Sequence, residues 1–172
     1  VAYQGVWYEI QKFPTEAEKN GKCGQAEYKV EGDIVKVKNS HVVDGSQAVI
    51  EGTAKLAEDA NKAAKLVVTF KFGDVARDSP LNVVATDYKN YAIAVTCKYD
   101  EKKKTHEDFV WVLSRTKKLE GDAKTAVDNF IKNHSKDFDA SRFVVTDFSE
   151  EACKFSGTNA ITVDPYNKDK KQ

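Results

Sequence analysis

Phe109-Val110-Trp111-Val112-Leu113-Ser114-Arg115 is an apolar run that ends in a cation. A near-continuous run of this length reads as a strand buried on both faces. Arg115 is planar and permanently charged, so it needs an aromatic face or several acceptors. The best partner the sequence offers lies near the other end of the chain, where Gly5-Val6-Trp7-Tyr8 opens the first strand. An arginine at the end of one strand, lying over the tryptophan of another, would close one end of a barrel.

The chain between these two pieces alternates with unusual regularity. Ala26, Tyr28 and Val30 share one parity, against Gln25, Glu27 and Lys29. After Glu31-Gly32-Asp33, the set Val35, Val37, Asn39, His41 and Val43 opposes Lys36, Lys38 and Ser40. Asp44-Gly45 is the strongest short hairpin signal a sequence offers. Ala48, Ile50, Gly52, Ala54 and Leu56 make the next row, then Leu66, Val68, Phe70 and Phe72. Residues 57–64 read as a polar hairpin connection and 73–80 as a turn, with a strand resuming at Leu81. Tyr91 to Tyr99 is a further strand, and Asp100 to Thr105 a lysine-rich tip. Phe109 to Ser114 is then the eighth strand, and even spacing with hairpin turns predicts an all-β, antiparallel up-and-down barrel.

After the eighth strand the period changes. Ala123, Ala126, Val127, Phe130 and Ile131 fall on one face of a helix spanning Gly121 to His134. If Ala92, Ala94, Thr96 and Lys98 point into the barrel, then Ile93, Val95, Val110 and Val112 point out, and this outward patch is what the helix would cover. Phe143-Val144-Val145 reads as a last edge strand. Residues 1–155 thus make one domain and 156–172 a polar tail.

Of the 172 residues, Lys+Arg and Asp+Glu each number 27, so no net field favours nucleic acid or an anionic membrane. No apolar run reaches the length of a membrane-spanning helix. The chain opens at Val1 and contains no Met, which suggests a processed or incomplete N-terminus with any signal peptide already removed. Cys23, Cys97 and Cys153 lack metal-type spacing. They read either as buried thiols of a cytosolic protein or as one disulfide plus an orphan in a secreted one. Asn133-His134-Ser135 is a glycosylation acceptor pattern that also arises by chance. There is no phosphate-binding glycine loop, no H-E-x-x-H and no G-x-S-x-G. His106-Glu107-Asp108 is a strand start beside a charged turn, not a metal site. Cys23 follows Lys22, a setting that can activate a thiolate, but a disulfide is the stronger reading.

An eight-stranded barrel either fills its interior with side chains or holds one small ligand. The inward rows contain small residues (Ala48, Gly52, Ala54, Ala92, Ala94, Thr96) that leave room, and polar ones (Asn39, His41, Lys98, Glu107) that call for an open mouth or a polar ligand. A lone histidine on an apolar face is more often a satisfied structural residue. Asn39, two positions before His41 on the same face, is the case for a ligand contact.

The stretches Gly5-Val6-Trp7-Tyr8-Glu9-Ile10, Asn20-Gly21-Lys22-Cys23, Ala85-Thr86-Asp87-Tyr88-Lys89-Asn90-Tyr91, Asp108 to Arg115 and Asp147-Phe148-Ser149-Glu150-Glu151-Ala152-Cys153 resemble lipocalins over nearly the whole chain. The resemblance is greatest to the insect bilin-binding branch, the insecticyanins and butterfly bilin-binding protein. It implies a lipocalin barrel with the helix packed outside, and structural roles for Gly5, Trp7, Thr86, Asp87, Tyr88 and Arg115. It implies a secreted, haemolymph carrier of biliverdin IXγ, blue in colour and without enzymatic activity. The implied pocket comprises the loop Thr15 to Glu18 with Asn39, His41, Ile50, Phe70, Phe72, Val75, Arg77, Ser79, Thr96, Lys98, Glu107 and Phe109, and Trp111 joins it. The implied disulfide joins Cys23 to Cys153, with Cys97 pairing to a cysteine upstream of the Gly-x-Trp strand.

Two other functions fit the same residues. One is a carrier of a colourless small hydrophobic ligand such as a fatty acid, retinoid or hormone. The other is an enzyme in the manner of lipocalin-type prostaglandin synthase, using a thiol. No metal, nucleic acid or membrane insertion is expected, and homo-oligomerisation is left open.

Overall fold

The computed structural model describes residues 3–14, 21–57, 64–72, 75–154 and 161–162. The expected pocket loop Thr15 to Glu18 and most of the connection at 57–64 lie outside the described residues. Eight strands follow one another: β1 (Gly5–Lys12), β2 (Lys22–Glu31), β3 (Ile34–Val43), β4 (Ser46–Leu56), β5 (Lys65–Phe72), β6 (Val75–Thr86), β7 (Tyr91–Asp100) and β8 (Thr105–Ser114). Each pairs antiparallel with the next, and β8 returns to β1, so the sheet closes into the up-and-down barrel expected from the alternation.

Helix α1 (Gly121–Asn133) lies outside. Val127 on its apolar face is fully buried and shares a cluster with Ile93, Val110 and Val112, which point outward from β7 and β8. Phe13, just beyond β1, completes this patch against Phe143 and Phe138. The short strand β9 (Val144–Val145) adds to β1, and the one-turn helix α2 (Glu150–Cys153) follows. Cys153 bonds to Cys23 at the start of β2, across a sequence separation of 130. This bond removes Cys23 as a nucleophile. Cys97 is free and exposed.

The closed end is where the Arg115 argument lands. The guanidinium carbon lies 3.7 Å from the centroid of the Trp7 ring. Its Nη1 donates to the Val6 carbonyl at 3.2 Å and its Nη2 to the Tyr88 carbonyl at 3.3 Å. A Cβ at Gly5 would stand 3.1 Å from Nη1, and the φ of +100° at this residue is one that side chains rarely adopt. The β6–β7 turn that presents Tyr88 is held by Asp87. Its Oδ1 accepts from the backbone N–H groups of Asn90 at 2.8 Å and Tyr91 at 3.0 Å. Thr86 Oγ1 in turn donates to the Tyr91 carbonyl at 2.7 Å. Tyr3 stacks on Trp7 at 5.1 Å and meets Tyr28 edge-on, plugging the floor from inside.

Two elements differ from the sequence expectation. Strand β6 begins at Val75, not at Leu81, and carries Pro80 within it. Proline is tolerated because the ladder to β7 runs only from Asn82 to Thr86, so no partner strand needs its missing N–H on that side. Instead the Thr96 hydroxyl donates to the Pro80 carbonyl. Within the expected tail, Ile161–Thr162 form β10, parallel to Ala48 and Val49 of β4. β4 pairs with β5 only from Gly52 onward, which leaves that stretch of its edge open to the pairing.

Replacing both Cys23 and Cys153 by Ser should lower the unfolding free energy by about 2–4 kcal/mol, because the bond closes a long loop in the unfolded chain. Urea titration of oxidised parent and variant checks this, and coincident midpoints would refute it. At Asp87, burial raises the carboxyl pKa, but the hydrogen bonds accepted from Tyr91, Asn90 and Lys89 outweigh it and hold the pKa below the usual value. Its folded pKa being depressed, Asp87 contributes stability above the ordinary aspartate range and loses it as pH falls through the folded value. Asp87→Asn should therefore flatten the acid limb of a stability-versus-pH curve.

Candidate functional site

The inner face of the barrel is where the alternation aims its small and aromatic rows. The floor is Trp7, Ala26, Tyr28, Val37, Ala54, Val68, Ala92 and Leu113, all buried, with Phe70 and Trp111 half-buried against them. Above it stand Ile50, Ala94 and Thr96, also buried. Phe109 lies at 6.4 Å from Trp111 with their ring planes 29° apart, a stacked pair on β8.

The strand registers show which of the expected contact residues come together. Asn39 stands opposite Ile50 and, on its other side, Ala26. Asn39 Oδ1 is shut off from solvent and has no hydrogen-bond partner among the described residues. His41 is buried on the same face, one inward step nearer the mouth. Thr96 stands opposite Phe109, its hydroxyl spent on the Pro80 carbonyl. Ser79 is half-buried on β6. Phe72, Val75, Arg77 and Lys98 sit on strands at the mouth, but their side chains lie outside the described residues. Glu107 is set apart: it is exposed, and its Oε1 accepts from Arg142 Nη2 at 3.1 Å. Arg142 also lies over the Phe13 ring at 4.5 Å, so this ion pair ties the segment after α1 to the rim.

Two polar residues of the interior escape the sequence reading. Lys12 Nζ and Glu9 Oε2 form an ion pair at 3.0 Å, each side chain only 7% exposed. Glu9 was findable, since it follows Trp7 by two in a strand. Lys12 was not, because three residues along a regular strand reverses the face. The register slips between Glu9 and Gln11, setting Glu9 opposite Leu113 and Lys12 opposite Trp111, both inward. The neighbouring Tyr28 phenol is kept neutral, burial pushing its pKa up to about 12.

The interior thus offers a mostly apolar wall with aromatic plates, one unsatisfied amide oxygen and one ion pair. That is the make-up of a small-molecule site, in which a few placed polar groups orient an apolar ligand. Among the described residues no three His, Cys, Asp or Glu are placed to share a metal ion. No helix there is long and apolar enough to cross a membrane.

Known proteins are similar to this chain in sequence and in fold. The chain is 51% identical over 152 residues to the bilin-binding protein of Pieris brassicae, covering 88% of this chain and 79% of that one. It is 47% identical over 163 residues to insecticyanin-B of Manduca sexta, covering 94% and 79%. The solved structure of insecticyanin from Manduca sexta superposes with a TM-score of 0.87 at 44% identity, covering 95% of this chain and 87% of that one. Residues 4–150 match the lipocalin / cytosolic fatty-acid binding protein family. From the closed barrel to the strand-end arginine over its tryptophan, the chain belongs to the lipocalins.

Proposed function

We infer that this lipocalin is a carrier that holds a bilin, biliverdin IXγ, inside the barrel, and that it is secreted into haemolymph as a blue protein. The names borne by its relatives, bilin-binding protein and insecticyanin, are those of binding proteins, which supports a carrier and not a catalyst. The Cys23–Cys153 disulfide fits an oxidising, extracellular compartment.

The observation that carries the pigment reading is Asn39 Oδ1. A buried acceptor without a partner costs free energy until something donates to it. A bilin brings several pyrrole N–H donors on a flat, apolar frame, whereas retinol brings a single O–H donor and an ionised fatty acid none. Trp111 and Phe109 give such a frame a stacked pair of rings to lie against. His41 lies on the same strand and face, and the small side chains of Ala92, Ala94 and Thr96 leave thickness for the chromophore.

Adding biliverdin to the purified protein should produce bands in the red and near-ultraviolet and quench Trp7 and Trp111 fluorescence up to equimolar ligand. Asn39→Leu should weaken that binding about tenfold, the cost of one hydrogen bond to a buried group. Absence of both band and quenching would remove the pigment while leaving the barrel. Solvent extraction of the protein, followed by a search for a colourless lipid, would then identify its cargo.

A further inference from the structure

The Glu9–Lys12 pair is an expensive thing to place in a barrel wall. Removing two charges from water costs several kcal/mol each, and a buried ion pair generally adds little net stability over apolar residues of the same volume. Here its installation takes three local departures from regular structure. The bulge after Glu9 turns Lys12 to the inner face. Strand β2 carries a second irregularity between Lys22 and Gln25. Between them, Gly24 lacks a side chain where Glu9 stands, since a Cβ there would come within 2.4 Å of Glu9 Oε2. The same β2 irregularity sets Cys23 and Gly24 together opposite His41, so Glu9, Gly24 and His41 cross one level of the inner wall, on the mouth side of Asn39. Two adjacent strands depart from regular pairing where they present this couple.

We propose that Glu9 and Lys12 form a second polar recognition point that reads a lactam, the adjoining N–H and C=O at the end of a linear tetrapyrrole. The inference rests on the bilin reading above. A carboxylate has about four lone-pair sites and an ammonium three donors, so either can hold a ligand atom beside its protein partners. Glu9 accepts the lactam N–H and Lys12 donates to the lactam oxygen. A donor and an acceptor side by side on the ligand match an acceptor and a donor 3.0 Å apart on the wall. The pair is neutral as a whole and calls for no counter-charge from the ligand. A fatty-acid carboxylate would meet Glu9 with like charge, and a retinoid alcohol can satisfy one partner at a time. The couple therefore ranks ligands by the presence of the lactam, where Asn39 Oδ1 asks only for a donor.

The test is the double variant Glu9→Gln/Lys12→Met, which keeps volume and leaves no unpaired charge behind. Titrations follow tryptophan quenching with biliverdin, with its dimethyl ester, whose propionates are capped while the lactams remain, and with retinol. Circular dichroism reports folding. Affinity for biliverdin and for the ester should fall together by about 10- to 100-fold, that for retinol staying unchanged. Gly24→Ala, which displaces the Glu9 carboxylate without touching either charge, should reproduce the bilin-selective loss and carries the test if the double variant does not fold. Unchanged bilin affinity in a folded variant, or equal losses for bilin and retinol, overturns the proposal and leaves the carrier function intact. A parent protein that takes retinol and no bilin overturns the carrier reading itself, and this proposal with it.

Discussion

The flat contact between Arg115 and Trp7 sets the terms for the rest of the molecule. It joins the last barrel strand to the first, at the closed end. A guanidinium on an indole face keeps its in-plane N–H groups for other acceptors, and here they go to Val6 and Tyr88. With that end pinned, the β8–β1 register follows, and a one-residue slip would turn every side chain of β1 to the wrong face. Trp7, Glu9 and Lys12 are inside because of it. Ile93, Val110 and Val112 are outside because of it, which is what gives α1 a surface to lie on.

Inside, the division between apolar and polar is uneven in a useful way. The floor is closed by aromatic rings. The polar groups lie between that floor and the mouth: Asn39, His41 and the Glu9–Lys12 couple. The rim has its own charge chemistry, in which Arg142 engages Glu107 on the outside of the cup. A ligand entering the cup thus passes solvated charges first and buried ones afterwards, where a lower dielectric makes each interaction count for more.

Much of this was legible in the residues before any coordinates. Alternation along β2, β3 and β4 placed Ala26, Tyr28, Val37, Ile50 and Ala54 correctly, because a strand with one wet and one dry face writes its orientation with period two. The helix over the β7–β8 face was legible for the same reason, as two apolar patches that each needed a cover. What escaped were features decided by partners far away in the chain. The bulge that turns Lys12 inward is a property of the β1–β8 pairing, and no local pattern in Glu9-Ile10-Gln11-Lys12 announces it. The early start of β6 escaped because Pro80 normally signals a break, and it is excused only by a neighbour that pairs later. Glu107 has inward parity in the sequence, but the structure exposes it and engages it with Arg142, a partner beyond the reach of parity. Within the expected tail, β10 exists only because β4 has an edge to spare.

The return of β8 to β1 also governs how the chain must acquire its shape. Every pairing from β2 to β8 is between neighbours in sequence, reached by short loop closure, except the one that seals the ring, which spans more than half the chain. Long-range closures are slow because loop entropy is lost before the contact returns anything. Until β8 is made, the edges of β1 and β7 lack the strand that joins them, and both wait for residues 105–115. Between the exit of β7 and the arrival of Arg115 at Trp7, those unpaired edges are open to pairing with another chain.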